Sequence, residues 1–589
     1  MTRDDLGFDP DALRARYRRE RDRRLRPEGA GQYRRAAGEF GYYATDPYTP
    51  RADRAAVHDR VDAVIVGAGF GGLLTGAELR RAGLAGIRLI DEAGDVGGTW
   101  YWNRYPGIHC DIESSIYLPL LEEVGTVPAW RYSPGEEIRR HAIALAEHAG
   151  LYRDTLFHTR VTELRWDAEA AQWQVRTDRG DDFRARYVVV SPGTLTQPKL
   201  PGIPGIETFR GHTFHTSRWD YAYTGGDANG GLRELAGKRV GVVGTGATGI
   251  QVIPHLGRDA GQLYVFQRTP SSVDVRDNRP LPPDWTAGLK PGWQRERMDN
   301  FLTIVSGGHT DTDLVGDGWT GTGHLQTTYL TGTRAAMTDE ELELADFVKM
   351  NAIRARIEEV VSDPVVAEKL KPWYRYMCKR PGFSDTYLPT FNRPNVTLVD
   401  TADTGGITRM TGNAVVVGDT EFEVDCVIFA TGFETGVSGV VSGTLPVLGR
   451  DGVPLLRAWA RGPRTLHGFY SHGYPNLFHL GALQNANSVN FVHLLHEQAI
   501  HIGAVVAEAG RRGARRIEPA AEAEAAWVAT IRRVAPDTVA FQAACTPGYY
   551  NNEGRPRPVN DSYGPGPVAF HELLRRWRAD DRFGEVLVS

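Results

Sequence analysis

Cysteine is scarce in this sequence, with only four residues among 589. They are Cys110, Cys378, Cys426 and Cys545, and no two of them have the spacing of a CxxC pair or of zinc ligands. This scarcity argues against a metal-binding protein and against a redox enzyme that relies on a CxxC motif. We expect all four to be reduced thiols of a cytoplasmic protein.

The sequence also lacks a strong charge of one sign and a long apolar run. Its net charge is only -5, so no global field would attract nucleic acid. No apolar stretch is long enough to span a bilayer, and residues 1–26 lack the apolar segment of a secretory signal. We therefore expect a cytoplasmic protein without nucleic-acid partners or membrane spans, either a monomer or a weak homo-oligomer.

A first dinucleotide-binding motif follows the apolar stretch 61–66. It is Gly67-Ala68-Gly69-Phe70-Gly71-Gly72, and a helical pattern continues to residue 81. In a GxGxxG turn of this kind, Gly67 permits the tight turn, Gly69 lets a pyrophosphate approach the backbone, and Gly72 allows close packing of the helix on the strand. Asp91 ends the next apolar stretch and is placed to accept a hydrogen bond from a ribose hydroxyl.

A second motif of the same type is Gly244-Thr245-Gly246-Ala247-Thr248-Gly249, after the apolar stretch 240–243. Gly244, Gly246 and Gly249 take the same three roles. The acid of the first motif is replaced here by Arg268, with Thr269 after it. A cation at this point suits a 2′-phosphate and favours NADP over NAD, although a surface arginine beside an NAD site is the alternative.

Two such motifs predict an α/β fold with two Rossmann-like dinucleotide-binding domains. The expected parts are an N-terminal helical extension (1–60), a discontinuous FAD-binding domain (61–200 and 386–589) and an NADPH-binding domain (201–385) with a helical insert near 290–370. The strand pattern 425–429 is expected to return to the first domain. Its following turn, Ala430-Thr431-Gly432, would bring backbone close to the isoalloxazine ring or a pyrophosphate. In the insert, a capping box of Thr338 and Glu341 predicts a helix that runs to residue 361.

Between the two glycine motifs lies a segment that matches the pattern FxGxxxHxxxW[P/D]. The matching residues are Phe209, Gly211, His215, Trp219 and Asp220. This segment resembles the fingerprint of the type I (class B flavoprotein) Baeyer–Villiger monooxygenases. Related flavin monooxygenases that oxidise nitrogen or sulfur usually have Phe or Tyr where Trp219 stands. The resemblance implies that the segment transmits domain movement, and that His215 and Trp219 act through geometry without touching substrate.

The resemblance covers roughly residues 60–500 and extends to further segments. The stretch Gly97–Gly107 is similar to the family's flavin-side loop, which implies cofactor contacts for Thr99, Trp100, Trp102 and Tyr105; core packing is the alternative for Trp100. Arg380 matches the catalytic arginine, and Asp111 matches the carboxylate that holds it. Arg268, Thr269 and Lys379 match positions that contact the 2′-phosphate of NADPH.

Membership of this family implies a defined reaction. NADPH reduces FAD, the reduced flavin and O2 give a C4a-peroxyflavin, and its peroxide attacks a ketone carbonyl. One carbon then migrates to oxygen, which leaves an ester or a lactone. The protein positions and protects the cofactor, and a permanently charged arginine suits an anionic peroxide. The implied cofactors are therefore FAD and NADPH, and the implied partners are a small-molecule ketone and O2.

Several features point to a subgroup within the family. The long N-terminal extension and the C-terminal element Cys545–Gly554 resemble enzymes that act on bulky polycyclic ketones, including pentalenolactone D synthases. We therefore expect a terpenoid or steroid-like ketone. Many relatives have a Ser-Trp-Tyr element near this point whose Trp reaches the cofactor; here Tyr549 or Tyr550 could take that place. Asn487, Ser488 and Phe491 are candidate substrate contacts.

Three other functions compete with this interpretation. The first is a flavin-dependent N- or S-monooxygenase, against which Trp219, Asp220 and Arg380 argue. The second is an NADPH-dependent flavin disulfide reductase, which needs a redox-active cysteine pair. The third is a non-enzymatic FAD-binding protein, which would leave Arg380 and the second glycine motif without a role.

Overall fold

The computed structural model describes residues 7–330, 337–434, 445–555 and 562–588. The helices in this part of the chain are Pro10–Asp22, Phe70–Arg81, Thr99–Trp102, Ser114–Tyr117, Leu121–Val124, Gly135–His148, Tyr221–Thr224, Ala247–Asp259, Trp293–Val305, Gly323–Leu330, Asp339–Val360, Pro364–Leu370, Tyr387–Thr390, Leu455–Ala458, Phe491–Arg511, Ala521–Val534, Val539–Ala544 and Gly566–Ala579. None of the described helices is both long enough and apolar enough to cross a membrane.

The first sheet carries the first glycine motif. Its strands, in spatial order, are Val447–Leu448, Val161–Asp167, Gln172–Thr177, Asp182–Val190, His58–Val66, Ile87–Ile90 and Thr155–Leu156, with Leu477–His479 paired to Asp182–Val190. The strand His58–Val66 is parallel to both of its neighbours and leads directly into the motif. The helix Phe70–Arg81 then returns across the sheet, so the predicted strand–turn–helix unit is confirmed.

The second sheet has five parallel strands and carries the second glycine motif. In spatial order they are Val396–Asp400, Gln262–Gln267, Arg239–Val243, Cys426–Phe429 and His212–His215. Smaller sheets pair Tyr33–Arg35 with Lys199–Pro201, Val273–Asp274 with Gly382–Phe383, and Arg516–Ile517 with Leu587–Val588, and join Arg409–Met410, Ala414–Val417 and Thr420–Glu423.

One expectation about the second half of the chain is wrong. The strand Cys426–Phe429 lies inside the second sheet, and Val396–Asp400 is its edge, so the chain has not returned to the first sheet at residue 386. It does so only at Val447–Leu448 and Leu477–His479. The reason is that a strand buried between parallel neighbours in either sheet is a short continuous apolar run, and such a run does not specify which sheet it joins.

The helical insert contains the predicted capped helix. Thr338 accepts a hydrogen bond from the Glu341 amide at 3.2 Å, and the Glu341 carboxylate accepts one from the Thr338 amide at 2.7 Å. The helix that they open runs over Asp339–Val360, as expected. Its buried Phe347 packs edge-on against Tyr17 of the N-terminal helix, with ring centroids 5.5 Å apart. The extension is thus packed onto the insert.

Candidate active site

Each glycine motif forms a turn that only glycine accommodates. Gly67 has φ +106° and Gly244 has φ +108°, in the region that residues with a side chain rarely adopt. An added Cβ on Gly249 would lie 2.5 Å from the Gly244 carbonyl oxygen, so the helix can approach the strand only without a side chain there. At Gly246, by contrast, an added Cβ would meet no protein atom within 4 Å. The open space beside Gly246 fits the close approach of a dinucleotide pyrophosphate.

The first turn is held by the predicted acid. Asp91 accepts hydrogen bonds from the amide of Ala68 at 2.6 Å and from the amide of Ala93 at 2.8 Å. Burial raises the pKa of Asp91, and these amide bonds act in the opposite direction. Opposite the turn, an added Cβ on Gly98 would lie 2.9 Å from Gly69 Cα. The backbone of the flavin-side loop therefore faces the backbone of the motif at these two glycines, with no side chain between them. This arrangement fits a flavin dinucleotide.

The flavin-side loop connects the two domains. Tyr105 donates a hydrogen bond to Gln251 at 2.7 Å, and Gln251 donates one to the carbonyl of His109 at 2.9 Å. Gln251 lies on the helix after the second glycine motif. Trp100 is buried, and its indole donates to the Tyr117 hydroxyl at 2.9 Å. These contacts match core packing, which is the alternative to a cofactor contact for this residue. Thr99 opens the short helix that carries Trp100 and ends at Trp102.

Arg380 and Asp111 form a bidentate ion pair. Arg380 donates from Nε to Asp111 Oδ2 at 2.7 Å and from Nη2 to Oδ1 at 2.9 Å. Burial alone would raise the pKa of Asp111, but the charge of Arg380 holds it below its ordinary value. Burial alone would likewise lower the pKa of Arg380, but Asp111 raises it well above its usual range. The pair is therefore ionised at any working pH.

Trp319 supports this pair and was missed by the sequence reasoning. Its indole donates to the Asp111 carbonyl at 2.7 Å, and the Arg380 guanidinium lies 4.9 Å from its ring centroid. Trp319 is 1% exposed. It stands in a stretch rich in Gly, Thr and Asp that carries no motif, so nothing in the sequence singled it out.

Positively charged side chains gather beside the second glycine motif. Arg268 pairs with Glu553 at 3.0 Å, and the Lys379 amine donates to the Pro547 carbonyl at 2.8 Å. Burial, and then the charge of Arg268, lower the pKa of Lys379 to about 7. The charge of Lys199 interacts with Glu553 and Arg268. The Lys199 amine lies 3.9 Å from the ring centroid of Tyr33. Three cations surround one carboxylate, and this excess of positive charge fits a phosphate group.

Two hydroxyl groups lie beside this cluster. Thr269 Oγ1 and Thr546 Oγ1 are both buried and have no hydrogen-bond partner within the described residues. Both residues line one cavity of about 10 Å³, together with Glu20 and Arg24. A cavity of this size has room for about one water molecule and not for a phosphate group. Arg268 and Thr269 were predicted to contact the 2′-phosphate; Lys199 was missed because its position in a Pro-rich stretch gave no motif.

The turn Ala430-Thr431-Gly432 lies beside the second glycine motif. An added Cβ on Gly244 would lie 2.5 Å from the Ala430 carbonyl oxygen. Thr431 Oγ1 donates to the Lys199 carbonyl at 2.5 Å, and the Lys199 amide donates to Gly432 at 3.0 Å. The prediction that this turn follows a strand of the first domain is wrong, for the reason given for strand Cys426–Phe429. The turn instead anchors Lys199.

The fingerprint segment lies between the two domains. Its strand His212–His215 is the edge of the second sheet. Just before this strand, an added Cβ on Gly211 would lie 2.5 Å from the Phe209 ring, so a side chain at Gly211 would collide with that ring. The Trp219 amide donates to the Tyr48 hydroxyl at 3.0 Å, and that hydroxyl donates to the Trp102 carbonyl at 3.2 Å.

Most buried polar side chains of this segment are hydrogen-bonded within the protein, but His215 Nε2 has no partner among the described residues. The Trp219 indole donates to Thr224 at 3.0 Å, and Asp220 accepts from the Tyr223 amide at 3.1 Å. His215 is fully buried, and burial lowers its pKa to about 3. A neutral, enclosed histidine supports the prediction that these residues act through geometry.

The prediction of four free thiols is wrong. Cys378 and Cys545 form a disulfide, and only Cys110 and Cys426 are free. The two partners are 167 residues apart in sequence, so spacing alone could not pair them. Cys378 directly precedes Lys379, and Cys545 opens the C-terminal element predicted to mark the subgroup. Tyr549 and Tyr550 of that element interact electrostatically with Arg380, which places them near the Arg380–Asp111 pair.

The candidate substrate contacts lie at the start of a long helix. Asn487 accepts from the Ser488 amide at 3.0 Å, and Phe491 is the first residue of the helix Phe491–Arg511. None of the three lines the cavity of about 380 Å³ that lies near Glu113. That cavity is bordered by Glu113, which follows Asp111 closely in sequence, by two tryptophans (Trp285 and Trp293) and by an Arg297 that pairs with Glu113.

A second group of titratable side chains lies between this helix and the helix Gly566–Ala579. His493, Glu497 and His571 place one nitrogen or oxygen atom each within 4.8 Å of one another. Arg295 pairs with Glu497, so a protein cation already neutralises the carboxylate. Burial lowers the pKa of His493 and of His571, which keeps both imidazoles neutral. The group is a buried ion pair flanked by two neutral rings.

Comparisons with known proteins agree with this geometry. A family model described as an NAD(P)-binding Rossmann-like domain matches residues 65–125. The chain is 60% identical to a Baeyer–Villiger monooxygenase of Streptomyces coelicolor (96% of this chain, 95% of the relative). It is 54% identical to the pentalenolactone D synthase of Streptomyces arenae (97% and 98%). Among solved structures, the polycyclic ketone monooxygenase of Thermothelomyces thermophila superposes with TM-score 0.92 at 38% identity (98% and 99%).

The fold and the site thus define an oxidoreductase with one site for FAD and one for NADPH. Full-length similarity to named relatives then decides the family: the chain belongs to the Baeyer–Villiger monooxygenases. The predicted fold class, family and cofactors are confirmed.

Proposed function

We propose that this enzyme inserts one oxygen atom of O2 beside the carbonyl of a bulky polycyclic ketone of the terpenoid or steroid type, to give a lactone or an ester. The observation that carries the proposal is the bidentate Arg380–Asp111 pair, which stands where two dinucleotide-binding domains meet. Bound FAD, reduced by NADPH, activates O2 and delivers the inserted oxygen.

Arg380 supplies a fixed positive charge to the reacting oxygen. Its Nε and Nη2 are both bound to Asp111, which locks the plane of the guanidinium and leaves Nη1 for a further acceptor. A guanidinium keeps its charge at all pH values at which the protein is folded. A pre-oriented charge in a partly closed site stabilises an anion without reorganisation during the reaction. Asp111 and Trp319 are positioning residues in this scheme.

The cation cluster holds the 2′-phosphate of NADPH. Arg268 and Lys379 bring positive charge, and Thr269 follows Arg268 directly in the chain. Lys199 adds a third cation and is fixed by the turn that follows Phe429. An NAD site would require an acid at the position of Arg268, so NADPH is the preferred donor.

The substrate class is supported by the relatives. Two of them carry the names pentalenolactone D synthase and polycyclic ketone monooxygenase, and the similarity to both covers nearly the whole chain. It therefore includes the N-terminal extension and the C-terminal element as well as the two domains.

The test is product analysis under 18O2. Purified protein with FAD and NADPH would be given cyclohexanone, a tricyclic terpenoid ketone and a tetracyclic steroid ketone. We expect a lactone with one 18O atom from at least one polycyclic ketone, at a higher kcat/KM than from cyclohexanone. Arg380→Ala should lose about 10²- to 10³-fold in kcat with FAD retained. The exposed Arg461→Ala is the matched control and should be unaffected.

Two outcomes would contradict the proposal. Conversion of cyclohexanone alone would refute the substrate class. A sulfoxide or N-oxide as the only product, from a panel that includes a sulfide and an amine, would move the enzyme to the N- and S-monooxygenases; the named relatives do not favour that alternative.

A further inference from the structure

The Cys378–Cys545 disulfide joins two segments that both reach the NADPH site. Cys378 directly precedes Lys379 and Arg380. Cys545 begins residues 545–554, which we name the C-terminal loop. Both sulfur-bearing residues are buried, with 3% and 2% of their surfaces exposed. The bond therefore lies behind the site and not on the surface of the protein.

The C-terminal loop supplies acceptors to the cations that we assign to the 2′-phosphate. The Pro547 carbonyl accepts from Lys379 at 2.8 Å and from Arg268 at 3.4 Å. Glu553 pairs with Arg268 at 3.0 Å and accepts from the Tyr33 hydroxyl at 3.0 Å. The direction in which Arg268 and Lys379 point thus depends on where this loop lies.

The loop itself is mostly buried: Cys545, Thr546, Pro547, Gly548, Asn551 and Glu553 have little exposed surface. The helix Val539–Ala544 that leads into it contains no buried residue. Inside the loop, Asn551 accepts from the amides of Gly548 at 2.9 Å and Gly554 at 3.1 Å, which shapes the loop but does not attach it to the domain. The disulfide adds a covalent link between this loop and the segment that carries Lys379 and Arg380.

We propose that the disulfide is a positioning element for NADPH: it holds the C-terminal loop against Lys379 and Arg268, and its reduction weakens NADPH binding while FAD stays bound. In that reduction a dithiol gives two electrons and two protons, the S–S bond breaks, two thiols form, and the dithiol becomes a disulfide. The inference rests on the proposed site of the 2′-phosphate. It makes NADPH affinity depend on the thiol redox state around the enzyme.

The existence of the bond is tested first, by thiol titration of the denatured holoenzyme. Without reductant we expect two reactive thiols, from Cys110 and Cys426. After treatment with dithiothreitol we expect all four. Four thiols in protein purified without reductant would overturn the proposal.

The effect of the disulfide on NADPH binding is tested by calorimetry. NADP⁺ is titrated into the same holoenzyme before and after reduction. Loss of preorganisation should raise the Kd for NADP⁺ about tenfold, while the flavin absorbance and the retained FAD stay constant. Hydrogen exchange should rise in peptides that cover residues 545–554. An unchanged Kd with a reduced bond would refute the positioning role. The Cys378→Ser/Cys545→Ser variant should reproduce the reduced protein, and Cys110→Ser should not.

The failure of this inference and of the assigned phosphate site can be told apart. If Arg268→Ala leaves the Kd for NADP⁺ unchanged, the phosphate site is misplaced, whatever the thiol count shows. If Arg268→Ala weakens binding and reduction does not, the site stands and the disulfide has no positioning role.

Discussion

Arg268 donates a hydrogen bond to Gln32 Oε1 at 2.8 Å across a sequence separation of 236 residues. The same guanidinium nitrogen donates to the Tyr33 hydroxyl at 3.2 Å. The strand Tyr33–Arg35 is itself paired with Lys199–Pro201, so the extension is fastened beside a second cation of the cluster. The N-terminal extension is therefore part of the proposed NADPH site, a role that its sequence did not reveal.

Tyr33→Phe should weaken NADPH binding. The change removes one hydrogen bond to Arg268 and one to Glu553, so Arg268 loses part of its support. A hydrogen bond to a charged group is worth roughly 1.5 kcal/mol, and we expect the Kd for NADP⁺ to rise by about tenfold. Tyr42→Phe, on an exposed tyrosine of the same extension, is the control. Equal effects of the two substitutions would show that the contact with Arg268 is unimportant.

The affinity for NADP⁺ should fall as pH rises through neutrality. The pKa of Lys379 is about 7 in the free protein, and a bound phosphate raises it because the anion favours the charged amine. Below pH 7 the amine is already charged; above it, binding must take up a proton. We expect the Kd to increase by up to about tenfold per pH unit above 7, until the raised pKa is reached.

Calorimetry between pH 6.5 and 8.5 in two buffers of different ionisation enthalpy would measure this proton uptake. NAD⁺, which lacks the 2′-phosphate, should show no such dependence, and Lys379→Met should abolish it for NADP⁺. A pH-independent Kd for NADP⁺ with the native protein would contradict the placement of Lys379 beside the phosphate.

Asp111→Asn should slow catalysis without loss of cofactor. The amide keeps the shape of the side chain but cannot accept two hydrogen bonds from Arg380 or match its charge. The guanidinium then loses its fixed orientation, and we expect kcat to fall by about 10- to 100-fold with the FAD content unchanged. Stopped-flow measurement of flavin reduction by NADPH should show a normal rate, which separates this step from oxygen insertion. The exposed Asp277→Asn is the control; a defect confined to flavin reduction would argue against the proposed role.

Local patterns predicted local structure well. The glycine motifs, the strand Ile87–Ile90 and the capped helix Asp339–Val360 lie where the sequence indicated, since turns, caps and periodicity are properties of neighbouring residues. The place of strand Cys426–Phe429 was not predictable in the same way. Four apolar residues fit a buried position in either sheet, and the choice depends on partners more than 180 residues earlier in the chain.

The same distinction applies to the site. Arg380 and Asp111 were found because each belongs to a motif, and the structure brings them together. Trp319 and Lys199 belong to none, so only tertiary contact reveals them. The Cys378–Cys545 bond was misjudged for a related reason: cysteine spacing along the chain carries no information about two segments that meet in space.

Trp219→Phe should reduce stability but leave the reaction unchanged. Trp219 is 1% exposed, and its indole is satisfied by Thr224 within its own segment. Removal of one buried hydrogen-bond donor should cost about 1–3 kcal/mol of unfolding free energy, measured by urea denaturation. Trp130→Phe, on a more exposed ring, is the control. The product should still be the lactone, because Arg380 is untouched; a change to sulfoxide or N-oxide as the only product would show that the fingerprint selects the reaction.

Gly246→Ala and Gly249→Ala should separate cofactor binding from folding within one turn. At Gly249 a methyl group would lie 2.5 Å from the Gly244 carbonyl oxygen, so the helix must move and the protein should lose stability. At Gly246 the methyl group would meet no protein atom and the backbone is extended, so folding should be normal. The methyl group would stand where we place the NADPH pyrophosphate, so the Kd for NADP⁺ should rise at least tenfold. Gly237→Ala, also in open space, is the matched control for both measurements. Normal NADP⁺ binding by Gly246→Ala would mean that the dinucleotide does not approach this turn, and the proposed position of NADPH would have to be abandoned.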